Sequence, residues 1–254
     1  MSNDNEAAVL TERRGRVLII TLNRPDQMNA INADLANGLW AAVEELNADP
    51  GLTTGVLTGN GRGFCSGMDL KAFAKGEDIS TMIAFVQNGA EKPLICAIEG
   101  FALAGGLELA LSCDLLVAAE GVKLGIPEVN VGLFAAGGGL MRLPSRVGYS
   151  KAMEMAVTGD PITAEDGAQF GLIARLVEPG EAVTAAIELA ERIAKNAPLG
   201  VAASKQIIRA TQGSTEDELW AFQGPLQATV FTSDDAREGP AAFAEKRDPN
   251  WSGH

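Results

Sequence analysis

Histidine is almost absent from this chain: one occurs among 254 residues, and it is the last residue, His254. Chain ends are usually mobile, so His254 is a poor candidate for a preorganised catalytic site. The lack of any other histidine excludes a Ser–His–Asp triad, a Cys–His pair and an HExxH metal site. Any proton transfer must therefore use Glu, Asp, Lys, Cys or the single tyrosine, Tyr149.

Cysteine is also scarce, and the three that occur, Cys65, Cys96 and Cys113, form no CxxC pair. This spacing is poor for a zinc site or a disulfide scaffold, so we expect reduced, mostly buried thiols and no bound metal. Residues 1–8 lack the basic start and apolar stretch of a secretory signal. We therefore expect the protein to stay in the cytoplasm.

Positive charge and long apolar runs are limited as well. The net charge is −13, and a nucleic-acid backbone is bound by clustered Lys and Arg, so nucleic acid is not an expected partner. The acidity is compatible with a small anionic ligand such as a CoA ester, because a few local cations and helix N-terminal amides bind phosphate whatever the total charge. The apolar runs are short or interrupted by charge, so we expect no membrane span.

Apolar periodicity predicts strands that alternate with helices, which indicates an α/β fold. The predicted strands are Val17–Leu22 and Leu115–Ala119 together with residues 55–58, 94–99 and 174–177; the predicted helices start at Asp34, cover residues 79–91, and run from about Gly105 to Ser112, and helical signals dominate from Ser150. Capping boxes at Thr163 and Thr215 mark two further helix starts. We predict a core over residues 1–190 and a helical segment over residues 191–254, whose apolar side chains need the core or a neighbouring subunit to cover them.

A glycine-rich segment, residues 59–67, directly follows a predicted strand. Glycine lets backbone amides approach a ligand closely, although a loop of this kind is as often a simple surface turn. Neither GxGxxG nor GxxxxGK[ST] is present, so nucleotide fingerprints do not explain it.

Two glutamates stand in unusual places after a second glycine-rich turn. Glu108 lies between Leu107 and Leu109 at a helix start, and Glu128 follows Pro127 ahead of the glycine run 137–139. Each has an ordinary explanation, the first as a helix-dipole partner and the second as solvated surface. Burial of Glu108 would instead raise its pKa, which suits proton transfer. Two amide-presenting turns and two acids are the parts needed to activate an acyl group without histidine.

These parts occur within a longer pattern. It comprises Asn23-Arg24-Pro25 with Met28-Asn29-Ala30, then Phe64-Cys65-Ser66-Gly67-Met68-Asp69-Leu70, then Gly105 with Glu108, then Pro127-Glu128. Over residues 18–251 the chain resembles the enoyl-CoA hydratase/isomerase, or crotonase, family. The resemblance implies a crotonase-like spiral of ββα units with a helical C-terminal segment, assembled as a homotrimer or a dimer of trimers.

The resemblance also implies a site. The amides of Ser66 and Gly105 would form the oxyanion hole, Glu108 would activate water for attack on the β-carbon, and Glu128 would protonate the α-carbon. The residues implied in substrate binding are Met28, Ala30, Ser66, Gly67, Met68, Asp69, Leu70 and Gly105. The expected reaction is reversible hydration of a 2-enoyl-CoA to a 3-hydroxyacyl-CoA, by a lyase that needs no cofactor beyond the CoA carried by its substrate.

Several alternatives stay open. Within the family they are carnitinyl-CoA dehydratase, which has a similar tail over residues 238–249, and enoyl-CoA isomerase, although isomerases often lack one of the two acids. Ala104 replaces a glycine common in relatives, and residues 133–136 replace a segment that commonly contains proline, so the shape of the acyl pocket is open. A different hypothesis is that the chain is a non-catalytic relative that binds acyl-CoA or RNA. The missing histidine disfavours a serine peptidase, and the missing fingerprint disfavours a nicotinamide dehydrogenase.

Overall fold

Two β-sheets organise the chain in the computed structural model, which describes residues 7–254. The prediction that residues 1–8 carry no secretory signal falls mostly outside these residues. The strands of the described residues are β1 (Val9–Arg14), β2 (Val17–Leu22), β3 (Thr54–Gly59), β4 (Leu94–Ile98), β5 (Phe101–Leu103), β6 (Leu115–Ala119), β7 (Lys123–Gly125), β8 (Ile162–Thr163) and β9 (Arg175–Val177). The larger sheet has the order β1-β2-β3-β4-β6-β9, and the smaller has the order β5-β7-β8. All neighbours in the larger sheet are parallel except β1 and β2.

Helices cover both faces of the larger sheet. They are α1 (Ala33–Ala48), α2 (Leu70–Ala74), α3 (Ser80–Asn88), α4 (Gly105–Ser112), α5 (Gly139–Val147), α6 (Tyr149–Thr158), α7 (Ala164–Phe170), α8 (Ala182–Ala194), α9 (Pro198–Ala210), α10 (Glu216–Thr232) and α11 (Asp234–Glu245). Side chains alternate along each strand, so Val17 and Ile19 pack with α8 while Leu18 and Ile20 join the main core on the other face. Covering both faces explains why the central strands are apolar without interruption.

The chain spirals because successive strands enter different sheets. β4 lies in the larger sheet, β5 follows it in the smaller sheet, and α4 then leads back to β6 in the larger sheet. The same step is repeated from β6 to β7. Because β5 and β7 are parallel neighbours, the segments that follow them leave the smaller sheet at the same edge.

The predicted α/β alternation is confirmed. Each predicted strand is present, with bounds that differ by two residues at most, and both capping boxes form, with the Thr163 and Thr215 side chains accepting from the amides of Asp166 and Glu218. Sequence analysis missed α5, which begins in the glycine run and contains Pro144. It also missed β1, β5, β7, β8 and α2. Edge strand β1 is almost wholly exposed and charged, and the others span only two to five residues, too short to show a period.

The helices after α8 bury little of their surface. Helix α8, which carries buried Ala182, Ala186 and Ala190, continues past residue 190 and packs against the larger sheet. The division at residue 190 stays a prediction. Helices α9 and α10 have no fully buried side chain, and Phe231 and Phe243 are 73% and 88% exposed. Within residues 7–254 no helix has both the length and the apolar content needed to cross a bilayer.

Candidate active site

Glu108 is buried near the start of α4 and is only 5% exposed. Its flanking residues Leu107 and Leu109 are fully buried, which draws this helix face into the core. The Glu108 Oε1 accepts a hydrogen bond of 2.9 Å from the Gly139 amide. Burial raises the pKa of Glu108 to about 7, and the charge of Glu128 adds to this, while the amides of Gly139 and Gly137 and the Arg142 guanidinium act in the opposite direction.

Glu128 lies in a short 3-10 helix, Pro127–Val131, that follows β7. Its Oε2 is buried and has no hydrogen-bond partner within residues 7–254. Burial raises the pKa of Glu128 as well. A carboxyl oxygen without a partner is costly in the protein interior, so it is available to a ligand or a water molecule. The two acids expected to converge are therefore close enough to interact, and neither is freely solvated.

The glycine run 137–139 is packed against Glu108. A methyl group built on Gly137 would lie 2.6 Å from Glu108 Oε2, and one built on Gly139 would lie 3.1 Å from Oε1. No side chain fits at Gly137 without moving the carboxylate. These glycines, which sequence analysis noted without a role, let backbone amides approach the acid.

The amide of Ser66 is already satisfied inside the protein. It donates a 3.1 Å hydrogen bond to the carbonyl of Met28. This contact contradicts the expected role of Ser66 in an oxyanion hole, because an N–H bound to a carbonyl is not free for a ligand. The Ser66 amide is therefore unsuited to the role predicted for it.

Met68 and Gly105 supply the available pair of amides. No backbone carbonyl in the described part of the chain accepts from either N–H. The two donors are neighbours, since a methyl group built on Gly105 would lie 3.7 Å from the Met68 nitrogen, and one on Gly67 would lie 3.1 Å from the Gly105 nitrogen. The first helix residue has no internal acceptor for its N–H, which leaves Gly105 free for an oxygen ligand.

The turn before Gly105 holds a strained residue. Ala104 has φ 51° and ψ −131°, a backbone region that glycine adopts easily and other residues rarely do. Its N–H is held by the Gly125 carbonyl at 2.9 Å. Because backbone strain collects at functional sites, Ala104 is consistent with a turn shaped to present the next amide.

The Met28-Asn29-Ala30 landmark forms a scaffold for the loops around the site. Met28 and Asn29 both have φ 54°, in the left-handed region. The buried Asn29 amide donates to the carbonyls of residues 60, 63 and 64 at 2.9–3.1 Å, and its Oδ1 accepts from the Arg24 amide at 2.8 Å. Asn29 therefore fixes the path of the loop that leads to Ser66.

The remaining predicted substrate residues surround this loop. Met28 is 36% exposed and Leu70 is 55% exposed, whereas Ala30 is buried. Asp69 caps α2, since its Oδ1 accepts from the amides of Lys71 and Ala72, and its Oδ2 accepts from Arg24 at 3.2 Å. Asp69 thus orders the loop and its helix.

A polar groove of about 930 Å³ opens beside this loop. It is lined by the cations Arg24, Lys71 and Lys75 and by the acids Asp26, Asp34, Asp69 and Glu77, so it carries charge of both signs. Sequence analysis named Arg24 only as part of the family pattern and did not name Lys71 or Lys75. Within residues 7–254 no cluster of three or more His, Cys, Asp or Glu suits a metal ion.

Comparisons with known proteins agree on one family. The sequence model of the family described as enoyl-CoA hydratase/isomerase matches residues 12–254. An enoyl-CoA hydratase of Mycobacterium tuberculosis is 41% identical over 253 residues, covering 95% of each chain. A carnitinyl-CoA dehydratase of Salmonella arizonae is 39% identical over 256 residues, covering 95% of this chain and 97% of the relative.

Solved structures share the whole fold. A crystal structure of an enoyl-CoA hydratase from M. tuberculosis has a TM-score of 0.95 and 51% identity, covering 98% of this chain and 100% of the other. One from Mycobacterium marinum has a TM-score of 0.94 and 51% identity with the same coverage. The expected spiral of ββα units with a helical C-terminal segment is confirmed. The chain therefore belongs to the enoyl-CoA hydratase/isomerase, or crotonase, family.

Proposed function

We propose that this protein is an enoyl-CoA hydratase, a lyase that adds water reversibly across the 2,3 double bond of a 2-enoyl-CoA. The proposal rests on one observation: the buried Glu108 and the half-buried Glu128 both have raised pKa values. Helix α4, which carries Glu108, begins at Gly105, whose amide is unengaged like that of Met68. A carboxyl group that titrates near neutral pH is suited to give and take protons during turnover.

The thioester oxygen binds between the amides of Met68 and Gly105. Hydration of the conjugated double bond places negative charge on this oxygen, and preorganised N–H donors stabilise it by a few kcal/mol in the transition state. Gly67 keeps the two amides adjacent, because a side chain at this position would collide with Ala104. The bond between the carbonyl carbon and the α-carbon gains double-bond character until the α-carbon receives its proton.

The two acids carry out the two proton transfers that accompany the addition of one water molecule. Glu108 accepts a proton from the water whose oxygen bonds to the β-carbon, and Glu128 gives its own proton to the α-carbon. The reactive form of the pair has its single proton on Glu128 and ends with one on Glu108, so the charge of the pair is unchanged. A return of this proton through exchangeable water restores the starting form. Dehydration follows the same steps in reverse.

The CoA portion is held by the loop and the groove beside it. Met28, Ala30 and residues 66–70 contact the thioester and pantetheine. Lys71 and Lys75 attract the phosphates, since Arg24 is already paired with Asp69. Local cations of this kind bind an anionic ligand even when the total charge is negative. No cofactor is required beyond the CoA of the substrate. The protein is proposed to act in the cytoplasm, in keeping with its three buried free thiols.

We further propose a homotrimer or a dimer of trimers. Exposed apolar side chains on α6, such as Tyr149 and Val157, and on the C-terminal helices, such as Phe231 and Phe243, need a covering surface. In a symmetric oligomer, the neighbouring subunits provide this covering surface. Sedimentation analysis of the full chain distinguishes three subunits from six, and a monomer would contradict the proposal.

Carnitinyl-CoA dehydratase is the second candidate, because a relative of that name is 39% identical over nearly the whole chain. Both candidates use the same pair of acids, so they differ only in the acyl group that fits. Parallel assays with crotonyl-CoA, 3-hydroxybutyryl-CoA and carnitinyl-CoA separate them. Turnover of carnitinyl-CoA alone would replace the hydratase assignment.

The direct test replaces each acid by its amide. We expect Glu108→Gln and Glu128→Gln each to slow hydration of crotonyl-CoA at least about a hundredfold with little change in KM, because each group acts mainly in the transition state. Glu120→Gln is the matched control, since Glu120 is exposed and lies outside the site. Loss of the conjugated thioester absorbance measures the rate. Near-normal turnover in either test variant refutes the assignment, and no turnover by the unmodified protein favours a binding protein.

A further inference from the structure

Arg142 lies behind the glycine turn that holds Glu108. It stands in the first turn of α5 and is half-buried. A methyl group built on Gly138 would lie 2.7 Å from Arg142 Nη1, whereas methyl groups on Gly137 and Gly139 would meet the Glu108 carboxylate. The turn is therefore packed between the acid on one side and the guanidinium on the other.

The guanidinium joins three separate elements. It donates to the Val86 carbonyl at the end of α3, to Ser112 Oγ in α4 at 3.2 Å, and to the Gly137 carbonyl at 3.4 Å. Ser112 Oγ in turn donates to the Glu108 carbonyl at 2.8 Å. Arg142 thus links the helix that carries the acid to the turn that supplies the acid's hydrogen-bond donors.

We propose that Arg142 is a positioning residue for the reaction: it holds the 137–139 turn against α4, so that the Gly139 amide stays on the Glu108 carboxylate. This inference rests on the proposed function, because it assigns a task that matters only if Glu108 transfers protons. None of its hydrogen-bond partners in the described part of the chain is a carboxylate. Its five donors in a rigid fork suit a residue that must bind several acceptors at once.

Its charge has a second consequence for Glu108. Arg142 lowers the pKa of Glu108, while burial and the charge of Glu128 on the 3-10 helix raise it. The other titratable groups close to Arg142 are Arg146 on the same helix and Arg209 on α9, which are both positive, and the buried thiol of Cys113. Glu108 is thus the acid that balances this group of cations, and loss of Arg142 should keep Glu108 protonated to a higher pH.

The test compares Arg142→Gln with Arg142→Lys, and uses Arg146→Gln as the matched control on the same helix. We expect Arg142→Gln to lower kcat about ten- to a hundredfold with KM nearly unchanged, the range typical of lost positioning contacts. The alkaline limb of kcat/KM should move to higher pH. Arg142→Lys keeps the charge but loses the forked guanidinium donors. It should therefore leave the alkaline limb in place and have a kcat between those of Arg142→Gln and the unmodified protein. Arg146→Gln should have near-normal kcat.

A second variant covers the case in which Arg142→Gln does not fold. Ser112→Ala removes one acceptor of the guanidinium without removing its charge, and its effect on kcat should be smaller in an Arg142→Lys background, where this contact is already altered. Equal effects in both backgrounds, or normal kcat and an unmoved limb in soluble Arg142→Gln, overturn the positioning role. If Glu108→Gln itself is active, the proposed function fails instead, so the two failures are distinguishable.

Discussion

Replacing Glu108 by glutamine is expected to stabilise the fold while it removes activity. Burial raises the pKa of Glu108 to about 7 from an ordinary value of 4.5. The folded chain therefore keeps this proton to a higher pH than the unfolded chain, and stability falls as pH rises from 4.5 to about 7. At 1.36 kcal/mol per pH unit, the difference corresponds to about 3 kcal/mol above pH 7. A neutral amide removes this cost.

Urea unfolding at about pH 5 and about pH 8 measures the effect, at one protein concentration because assembly also shifts stability. We expect Glu108→Gln to be more stable than the unmodified protein by up to about 3 kcal/mol at the higher pH, with the gain fading toward pH 4.5. The glutamine oxygen still accepts from the Gly139 amide, so the backbone contact is kept. Glu120→Gln controls for the loss of one negative charge.

A different outcome would count directly against the burial of this acid. If Glu108→Gln is equal to or less stable than the unmodified protein at about pH 8, the carboxylate is not held in a dry environment. A gain that is the same at both pH values would have the same meaning, because only a titrating group makes the gain depend on pH. The mechanism would then lose the raised pKa on which it depends.

Two further predictions concern the same region. We expect kcat/KM to fall as pH rises through about 7, when the pair of acids loses its shared proton, and to fall also in acid, when the second carboxyl is protonated. Hydration releases no proton, so stopped or continuous assays of hydration and dehydration should give the same two limbs. Limbs that differ between the two directions would rule out a shared pair. We expect Ala104→Gly to raise the free energy of unfolding by about 1 kcal/mol, because relief of left-handed strain exceeds the added chain entropy; a loss of stability in urea would show that the turn is not strained.

The regular elements were predictable because their signals are local. Residues 17–22 form a β-branched apolar run, and burial on both faces in a parallel sheet demands that composition. Strand β1 carries Thr11, Glu12, Arg13 and Arg14 on an exposed edge, where no apolar pattern is needed. Its place in the sheet depends on pairing with β2, which no local pattern records.

The site was predictable in its acids and less so in its donors. Glu108 stood out as a single charge in an apolar helix, and its burial is confirmed. The choice between Ser66 and Met68 depends on which amide the Met28 carbonyl occupies, and that contact joins residues far apart along the chain. The role of the glycine run also required coordinates, because only the packing shows Glu108 on one side and Arg142 on the other.

Asn29 belongs to the family motif, and its role in this protein is structural. Its side chain donates to the carbonyls of residues 60, 63 and 64, so it serves in place of neighbouring backbone amides. Removal would leave buried acceptors unpaired whether or not the protein were an enzyme. A descendant that had lost Glu108 and Glu128 would still need Asn29 to fold. The motif around Asn29 therefore indicates family membership and loop conformation, and only the two glutamates indicate catalytic activity.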